Sequence, residues 1–185
     1  MNPLRWELTW QLAGALGVID RYKVGTPGPA DVATLGLVHS LGYIDAVRRA
    51  SRPGFAFSVG HGLGTVDDPI FAGMHTSAAL IAGGSVGAAL SIATGEIDRA
   101  VNFCGGLHHA MADSASGFCV YNDAALAIAT MLRAGVGQGR LRRCGRASRG
   151  RRAGRVLRRA AGVDRVHPPV AAVPVPRHRV PHRLR

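Results

Sequence analysis

Apolar residues recur with helical spacing along much of the chain. In the first stretch, leucines return every fourth residue, which predicts a helix with one buried face: Leu4, Leu8, Leu12 and Leu16. Asn2 can cap this helix. Pro3 is tolerated as its first residue, because an N–H at that position would have no intrahelical partner. The stretch 31–50 predicts two short helices that are broken near Ser40–Gly42.

Two further helices are predicted in the second half of the chain. The alanines and glycines of 71–94 are typical of a buried helix that packs closely against a sheet. The stretch 121–135 predicts a helix that Asn122 or Asp123 caps and Gly135 ends.

The remaining segments predict loops and one strand. Gly and Pro mark 24–30 and 51–69 as loops, whereas 99–106 predicts a short strand that ends in a glycine turn. A strand between helices is typical of βαβ units, so the sequence predicts an α/β fold with a parallel sheet flanked by helices.

Charge divides the chain into two unequal parts. Residues 1–138 contain eight Lys and Arg against ten Asp and Glu, whereas residues 139–185 contain fifteen Arg and a single acid, Asp164. We therefore expect an α/β domain over 1–138 and a disordered Arg/Pro-rich tail over 139–185. A basic tail is compatible with nonspecific binding of nucleic acid through its charge alone.

The rest of the composition indicates a soluble cytoplasmic protein. Three cysteines without CxxC spacing predict no disulfide framework. No uninterrupted run of about 18 apolar residues occurs, and the N-terminus lacks the pattern of a signal peptide, so we expect no membrane association.

The stretch with the strongest chemical content is 105–123, "GGLHHAMADSASGFCVYND". Its adjacent His108 and His109 follow two glycines at the end of the predicted strand, where ligand sites gather in α/β sheets. From the residues alone, the pair is catalytic, metal-ligating or merely packed.

Three runs of the sequence, in order, resemble the zinc-dependent histone deacetylase family. These are "VHSLGYIDAVRRAS" (38–51), "HGLGTVDDPIFAGMHTSAALIAGGSVGAA" (61–89) and "GGLHHAMADSASGFCVYNDAALAI" (105–128). The GLGT run points to the acetoin-utilization branch. The resemblance covers nearly all of 1–137 and implies an arginase-like parallel α/β fold, here incomplete.

The resemblance also implies a chemistry, the hydrolysis of an acyl-lysine amide by zinc-bound water. Substrates would be acetyl-lysine proteins or small acylated amines. His108 and His109 resemble the acid/base pair, and Gly117 and Phe118 resemble the wall of a tunnel that grips the lysine stem. Asp67 or Asp68 resembles a carboxylate at the rim that holds substrate N–H groups.

Other candidates have plainer readings. Cys104 and Cys119 are expected to pack as small apolar residues. His39, His61 and His75 have no metal-ligand spacing, and His75 is expected to make an ordinary polar contact.

The family's zinc-binding D-x-D-x-H-H-G-D-G motif and catalytic Tyr are absent from this sequence. We therefore expect no bound zinc and an inactive chain.

Beyond Gln138 the sequence uses only ten residue types, which favours a GC-rich gene read in a shifted frame, with the base change near 136–142. Suitable codons for Arg143–Arg151 would encode the missing motif in another frame. The family usually has a strand before the "NPLR" helix, so the sequence also suggests truncation at the start.

Two functions are alternatives to an inactive deacetylase: a nonenzymatic acyl-lysine-binding module and a polyanion-binding protein that acts through its tail.

Overall fold

The computed structural model describes residues 4–55 and 60–137, and the regular structure within them is helical. Five α-helices follow one another, with a 3₁₀ turn at Ile19–Arg21 after the first: α1 Leu4–Ala15, α2 Val32–Leu35, α3 Leu41–Ala50, α4 Met74–Ala93 and α5 Asp123–Arg133. The predicted Asn2–Pro3 cap and the tail beyond Gln138 lie outside the described residues.

Side-chain caps explain where the middle and last helices begin. The Ser40 hydroxyl accepts the Tyr43 N–H at the start of α3, and the Asn122 carbonyl accepts the Ala125 N–H at the start of α5. Gly135, with φ of 89°, follows the end of α5. The predictions of two helices within 31–50 and of a capped helix at 121–135 are confirmed.

The core lies where α3, α4 and α5 meet. It is built around large side chains with almost no exposure, among them Tyr43, Ile44, Val47, Met74 and Leu126. The Tyr43 hydroxyl donates to the Val120 carbonyl at 2.6 Å, so the core also holds the segment before α5.

The prediction of a strand at 99–106 is wrong. Among residues 4–55 and 60–137 no strand is present, because a strand exists only where a second extended segment pairs with it. The segment is instead held by Asn102, whose amide donates to the Ile81 carbonyl and the Ser85 hydroxyl. The predicted parallel sheet is therefore not found in this part of the chain, and α4 packs on helix α5 rather than on a sheet.

The predicted burial of the α1 leucines is also wrong. Leu4, Leu8, Leu12 and Leu16 are each at least half exposed. Their spacing does place them on one side of a helix, but a side is buried only when another apolar surface covers it, and no described element does so.

By length and composition alone, helix α4 could cross a membrane. This differs from the expectation that the chain has no helix of that kind. The criteria are weak for a single helix, since core helices of soluble proteins also satisfy them. Met74, Ala78 and Ala82 of α4 contribute to the core described above.

Candidate functional site

The two histidines lie side by side in the extended segment that precedes α5. Their ring centroids are 4.4 Å apart, with the planes inclined by 35°. Nδ1 of His108 is 2.9 Å from the Gly106 carbonyl, which fits Nδ1–H as the donor. The Nε2 atom of His108 is buried and has no hydrogen-bond partner in the described part of the chain. With the proton on Nδ1, Nε2 carries an unused lone pair.

Asp123 anchors the backbone just before the histidines. Its carboxylate accepts the N–H groups of Gly106 and Leu107 at 3.0 and 2.6 Å and the Ser85 hydroxyl at 2.5 Å. The side chain is 2% exposed, so these three donors replace the water that a buried carboxylate would otherwise need. A Cβ at Gly105 would lie only 2.7 Å from the same carboxylate, which explains a glycine there.

Asn122 holds the backbone on the other side of the histidines. Its amide N–H₂ donates to the carbonyls of His108 and Ala110 at 3.3 and 2.9 Å, while its carbonyl caps α5. The residue is fully buried with these groups satisfied. The N-terminal residues of α5 therefore position the histidine segment.

His39, in the segment between α2 and α3, supports this arrangement. Its Nε2 accepts the Asn122 backbone N–H at 3.0 Å, so its Nδ1–H donates to the Met111 carbonyl at 2.9 Å. Burial lowers the pKa of His39 to about 4, although the backbone groups of Met111 and Ala112 oppose the change. His39 is therefore a neutral residue whose two ring nitrogens both bond to the backbone.

We expect the buried His39 to make the fold sensitive to mild acid. A histidine whose pKa falls from about 6.5 unfolded to about 4 folded binds fewer protons in the folded state, so the chain loses stability as pH falls through that window. The loss is at most roughly 3 kcal/mol. Urea denaturation at pH 7 and pH 4.5 measures it.

Asp68 supplies the control, because its pKa shifts in the opposite direction. Burial and then the neighbouring Asp67 charge raise the pKa of Asp68 to about 6, which favours the fold as pH falls. The acid-induced loss should therefore be larger in Asp68→Asn than in the wild type. A His39 ring that titrates near pH 6.5 by NMR would contradict the account.

A tight turn formed by Gly117 and Phe118 places Gly117 beside His109. Ser116 and Cys119 exchange both backbone hydrogen bonds, at 3.2 and 3.0 Å, and the two residues between them have φ of 56° and 65°. Positive φ at both central positions is the pattern of a type I′ turn. Gly117 suits it, whereas Phe118 is a bulky residue in a conformation that bulky residues rarely adopt.

The turn brings its two central residues to different surroundings. A Cβ at Gly117 would lie 3.2 Å from the His109 ring, so the backbone of Gly117 packs against that ring. The Phe118 side chain is 49% exposed. The structure thus brings His108, His109, Gly117 and Phe118 together, while their roles stay predictions.

The two acids of the preceding loop differ in exposure. Asp67 is exposed, whereas Asp68 is 5% exposed. A role for either acid at the rim of a substrate site stays a prediction.

The two remaining described histidines have hydrogen-bond partners, and the two described cysteines are unpaired. Nδ1 of His75 is 2.9 Å from the Tyr121 hydroxyl, and Nδ1 of His61 is 2.6 Å from the Asp113 carbonyl. Cys119 is buried and Cys104 is partly buried, and both are free thiols. The expected polar contact of His75 is confirmed.

Sequence reasoning missed the second role of Asn122 and Asp123. Both were recognised only as possible caps, yet their side chains hold the histidine segment. In the sequence, two residues of the type that caps helices stand next to each other before an apolar helix. One N-cap is enough for one helix, so the second residue could be expected to have another role.

Comparison with known proteins assigns this arrangement to a family. The histone deacetylase domain matches residues 1–141. The chain therefore belongs to the histone deacetylase domain family, whose α/β fold contributes only helices in the part described here.

Among curated proteins, the chain is similar to acetoin utilization proteins and to histone deacetylases. It is 43% identical to acetoin utilization protein AcuC of Bacillus subtilis (strain 168) over 69% of this chain and 33% of that protein. It is 34% identical to AcuC of Staphylococcus xylosus over 71% and 34%. It is 36% identical to histone deacetylase 1 of Oryza sativa subsp. japonica over 72% and 26%. The chain thus spans between about a quarter and a third of the length of these relatives.

Proposed function

We propose that this chain carries the proton-transfer and substrate-gripping part of a deacetylase site for acyl-lysine amides or related acylated amines. The observation that carries the proposal is the packing of Gly117, in the Gly117–Phe118 turn, against His109 of the histidine pair. Residues 1–138 form the deacetylase-like portion in this proposal. Family membership and the deacetylase and acetoin-utilization relatives support it.

The histidines would move protons. Nε2 of His108 has an unused lone pair, and the close placement of the tilted His109 ring lets the two imidazoles serve one reacting group. Amide hydrolysis needs a proton taken from water and one given to the leaving amine, and imidazole does both near neutral pH.

The turn and the loop acid would bind the substrate. The half-exposed Phe118 ring offers an apolar face to the methylenes of a lysine stem, and the glycine before it leaves room against His109. The exposed Asp67 would accept N–H groups from the substrate backbone at the rim.

The described residues do not fit a zinc ion. Among residues 4–55 and 60–137 no group of three or more His, Cys, Asp or Glu side chains is placed to hold a metal. Four ligands are usual for zinc, three of them from protein at catalytic sites. We therefore assign no step to a metal held by these residues, and we propose that the chain alone neither holds zinc tightly nor turns over substrate.

The open apolar surface supports an incomplete domain. Large apolar side chains are well exposed on α1, on α4 and in the segment after it, among them Leu8, Leu12, Leu80, Val101 and Phe103. A complete domain seldom exposes so many large apolar side chains on neighbouring elements. A shifted reading frame after Val136 would account for the loss of the rest of the domain. We also expect a cytoplasmic location.

Binding of an acetyl-lysine peptide tests the proposal. We expect the amide signals of Gly117 and Phe118 to shift on addition of the peptide, and Phe118→Ala to weaken binding roughly tenfold, because an aromatic face is lost. Phe103→Ala removes a ring of similar exposure beside Trp10 and serves as the matched control. Equal affinity for the unacetylated peptide would contradict the proposal. Binding without metal or turnover is expected both of the proposal and of a nonenzymatic acyl-lysine-binding module.

Charge segregation favours a second candidate, polyanion binding through 139–185. Fifteen arginines in this segment would bind phosphates by charge, with affinity that falls steeply as salt rises. Titration of duplex DNA at 50 and 200 mM salt tests it, and salt-independent or absent binding would exclude it.

A further inference from the structure

A chain of polar side chains joins helix α4 to the segment before the histidines. Asn102 donates its two amide N–H groups to the Ile81 carbonyl at 3.0 Å and to the Ser85 hydroxyl at 2.9 Å. The Ser85 hydroxyl in turn donates to the Asp123 carboxylate at 2.5 Å. Helix α4, the 99–106 segment and helix α5 therefore share one hydrogen-bonded network.

The neighbours of Asn102 fix the direction of the bonds in this network. The Ile81 carbonyl can only accept a hydrogen bond, whereas the Cys104 N–H, 3.2 Å from the side-chain oxygen of Asn102, can only donate one. The amide nitrogen of Asn102 therefore faces Ser85 and donates to it. A serine hydroxyl has one proton, so the proton of Ser85 is left for the carboxylate.

The Asp123 carboxylate holds the backbone next to His108. It accepts the N–H groups of Gly106 and Leu107 at 3.0 and 2.6 Å. The Gly106 carbonyl lies 2.9 Å from Nδ1 of His108. A carbonyl only accepts, so a neutral His108 has its proton on Nδ1 and keeps Nε2 as an acceptor. The position of Gly106 thus sets both the orientation and the tautomer of the ring.

Close packing leaves the network little room to rearrange. A Cβ at Gly105 would lie 2.9 Å from the Ser85 hydroxyl oxygen and 3.0 Å from the Asn102 amide nitrogen. A Cβ at Gly84 would lie 2.9 Å from the same nitrogen. Glycine at both positions lets the backbone approach the two polar side chains closely.

We infer that Ser85 is a positioning residue that acts through Asp123 to fix the ring of His108. Without its hydroxyl the buried carboxylate loses one of three donors, and the Asn102 amide loses an acceptor. The backbone that the carboxylate holds should then loosen. This link does not depend on what the site does, and its value for proton transfer rests on the proposed function.

Hydrogen exchange in the ¹⁵N-labelled full chain gives the first test. In Ser85→Ala we expect exchange at the Gly106 and Leu107 amides to speed up roughly tenfold or more, because the carboxylate that holds them loses a charge-assisted bond. Ser91→Ala is the matched control, since the Ser91 hydroxyl also donates to a carboxylate, that of Glu96 at 2.8 Å, but near the end of α4. Exchange at the two amides should not change in this control.

The ring of His108 gives a second readout, which a general loss of stability would not change in the folded chain. Long-range ¹H–¹⁵N spectra at about pH 8, above the usual titration range of histidine, distinguish the two tautomers. We expect wild-type His108 to carry its proton on Nδ1. In Ser85→Ala the tautomer with the proton on Nε2 should appear beside it, because the Gly106 carbonyl is held less firmly. Ser91→Ala should keep the wild-type tautomer.

A wild-type His108 with its proton on Nε2, or unchanged exchange or an unchanged tautomer in Ser85→Ala, would overturn the inference. If Ser85→Ala does not fold, the hydroxyl proton of Ser85 in the wild type decides. That proton should exchange slowly enough to give an NMR signal with a nuclear Overhauser effect to the Asn102 amide protons, and exchange as fast as that of an exposed serine would contradict the inference. Failure to bind an acetyl-lysine peptide would count against the proposed function alone, because no readout here involves substrate.

Discussion

Asn122→Ala is expected to destabilise the chain by roughly 4 kcal/mol, since the change removes one helix cap and leaves a buried and a part-buried carbonyl without this donor. The cap is the bond from Ala125, and the orphaned carbonyls belong to His108 and Ala110. The histidine segment should also loosen, so amide exchange over 106–111 should speed up more than exchange in α3. Urea denaturation and hydrogen exchange measure both effects.

Ser40→Ala is the matched control for the capping part of that effect. Ser40 caps α3, a helix of similar length, and its hydroxyl accepts a single N–H, from Tyr43. We expect a loss of about 1 kcal/mol there, with no change at the histidines. Equal losses in the two variants would mean that the bonds to His108 and Ala110 contribute nothing.

Gly83→Ala is expected to disrupt the packing of α4 and to cost more than about 3 kcal/mol, comparable to a severe core change. An added Cβ would overlap the Gly28 carbonyl oxygen and lie 2.9 Å from the Ala30 nitrogen. Both are backbone atoms, so neither can rotate away. The Ala30 N–H, which donates to the Ala79 carbonyl at 2.9 Å, would lose its partner if the loop moved.

Gly87→Ala in the same helix should have the opposite sign. Nothing lies within 4 Å of a Cβ built at Gly87. Alanine is favoured over glycine inside a helix, so a gain of roughly 0.5–1 kcal/mol is expected. Thermal unfolding of the two variants beside the wild type makes the comparison, and a tolerated Gly83→Ala would show that the 27–30 loop does not press on α4.

Local signals predicted the helices well because capping is a short-range effect. Ser40 and Asn122 each satisfy an N–H three residues away, so the start of α3 and of α5 could be read from a few neighbouring residues. The strand at 99–106 could not be read in this way, because pairing depends on a distant segment. The exposed leucine stripe of α1 failed for the same reason, since spacing defines a face but not what covers it.

The sequence predicted candidate site residues, but it could not predict what supports them. The runs that resemble the family indicate His108, His109, Gly117 and Phe118, of which His108, His109 and Gly117 lie in contact. The different exposure of the adjacent Asp67 and Asp68 could not be predicted from the sequence, because it depends on how the loop packs. The anchoring by Asp123 could not be predicted either, since its partner Ser85 is 38 positions away.

Hydrolysis by the purified full chain, assayed with added zinc, tests the central claim most directly. The claim is that the chain holds an acid/base pair and a substrate-binding turn without the ligands of a zinc site. The assay uses a fluorogenic acetyl-lysine peptide with one equivalent of Zn²⁺, with and without chelator, beside a His108→Ala and His109→Ala double variant. We predict release no faster than that of the double variant. Chelator-sensitive turnover that the double variant lacks would contradict the account.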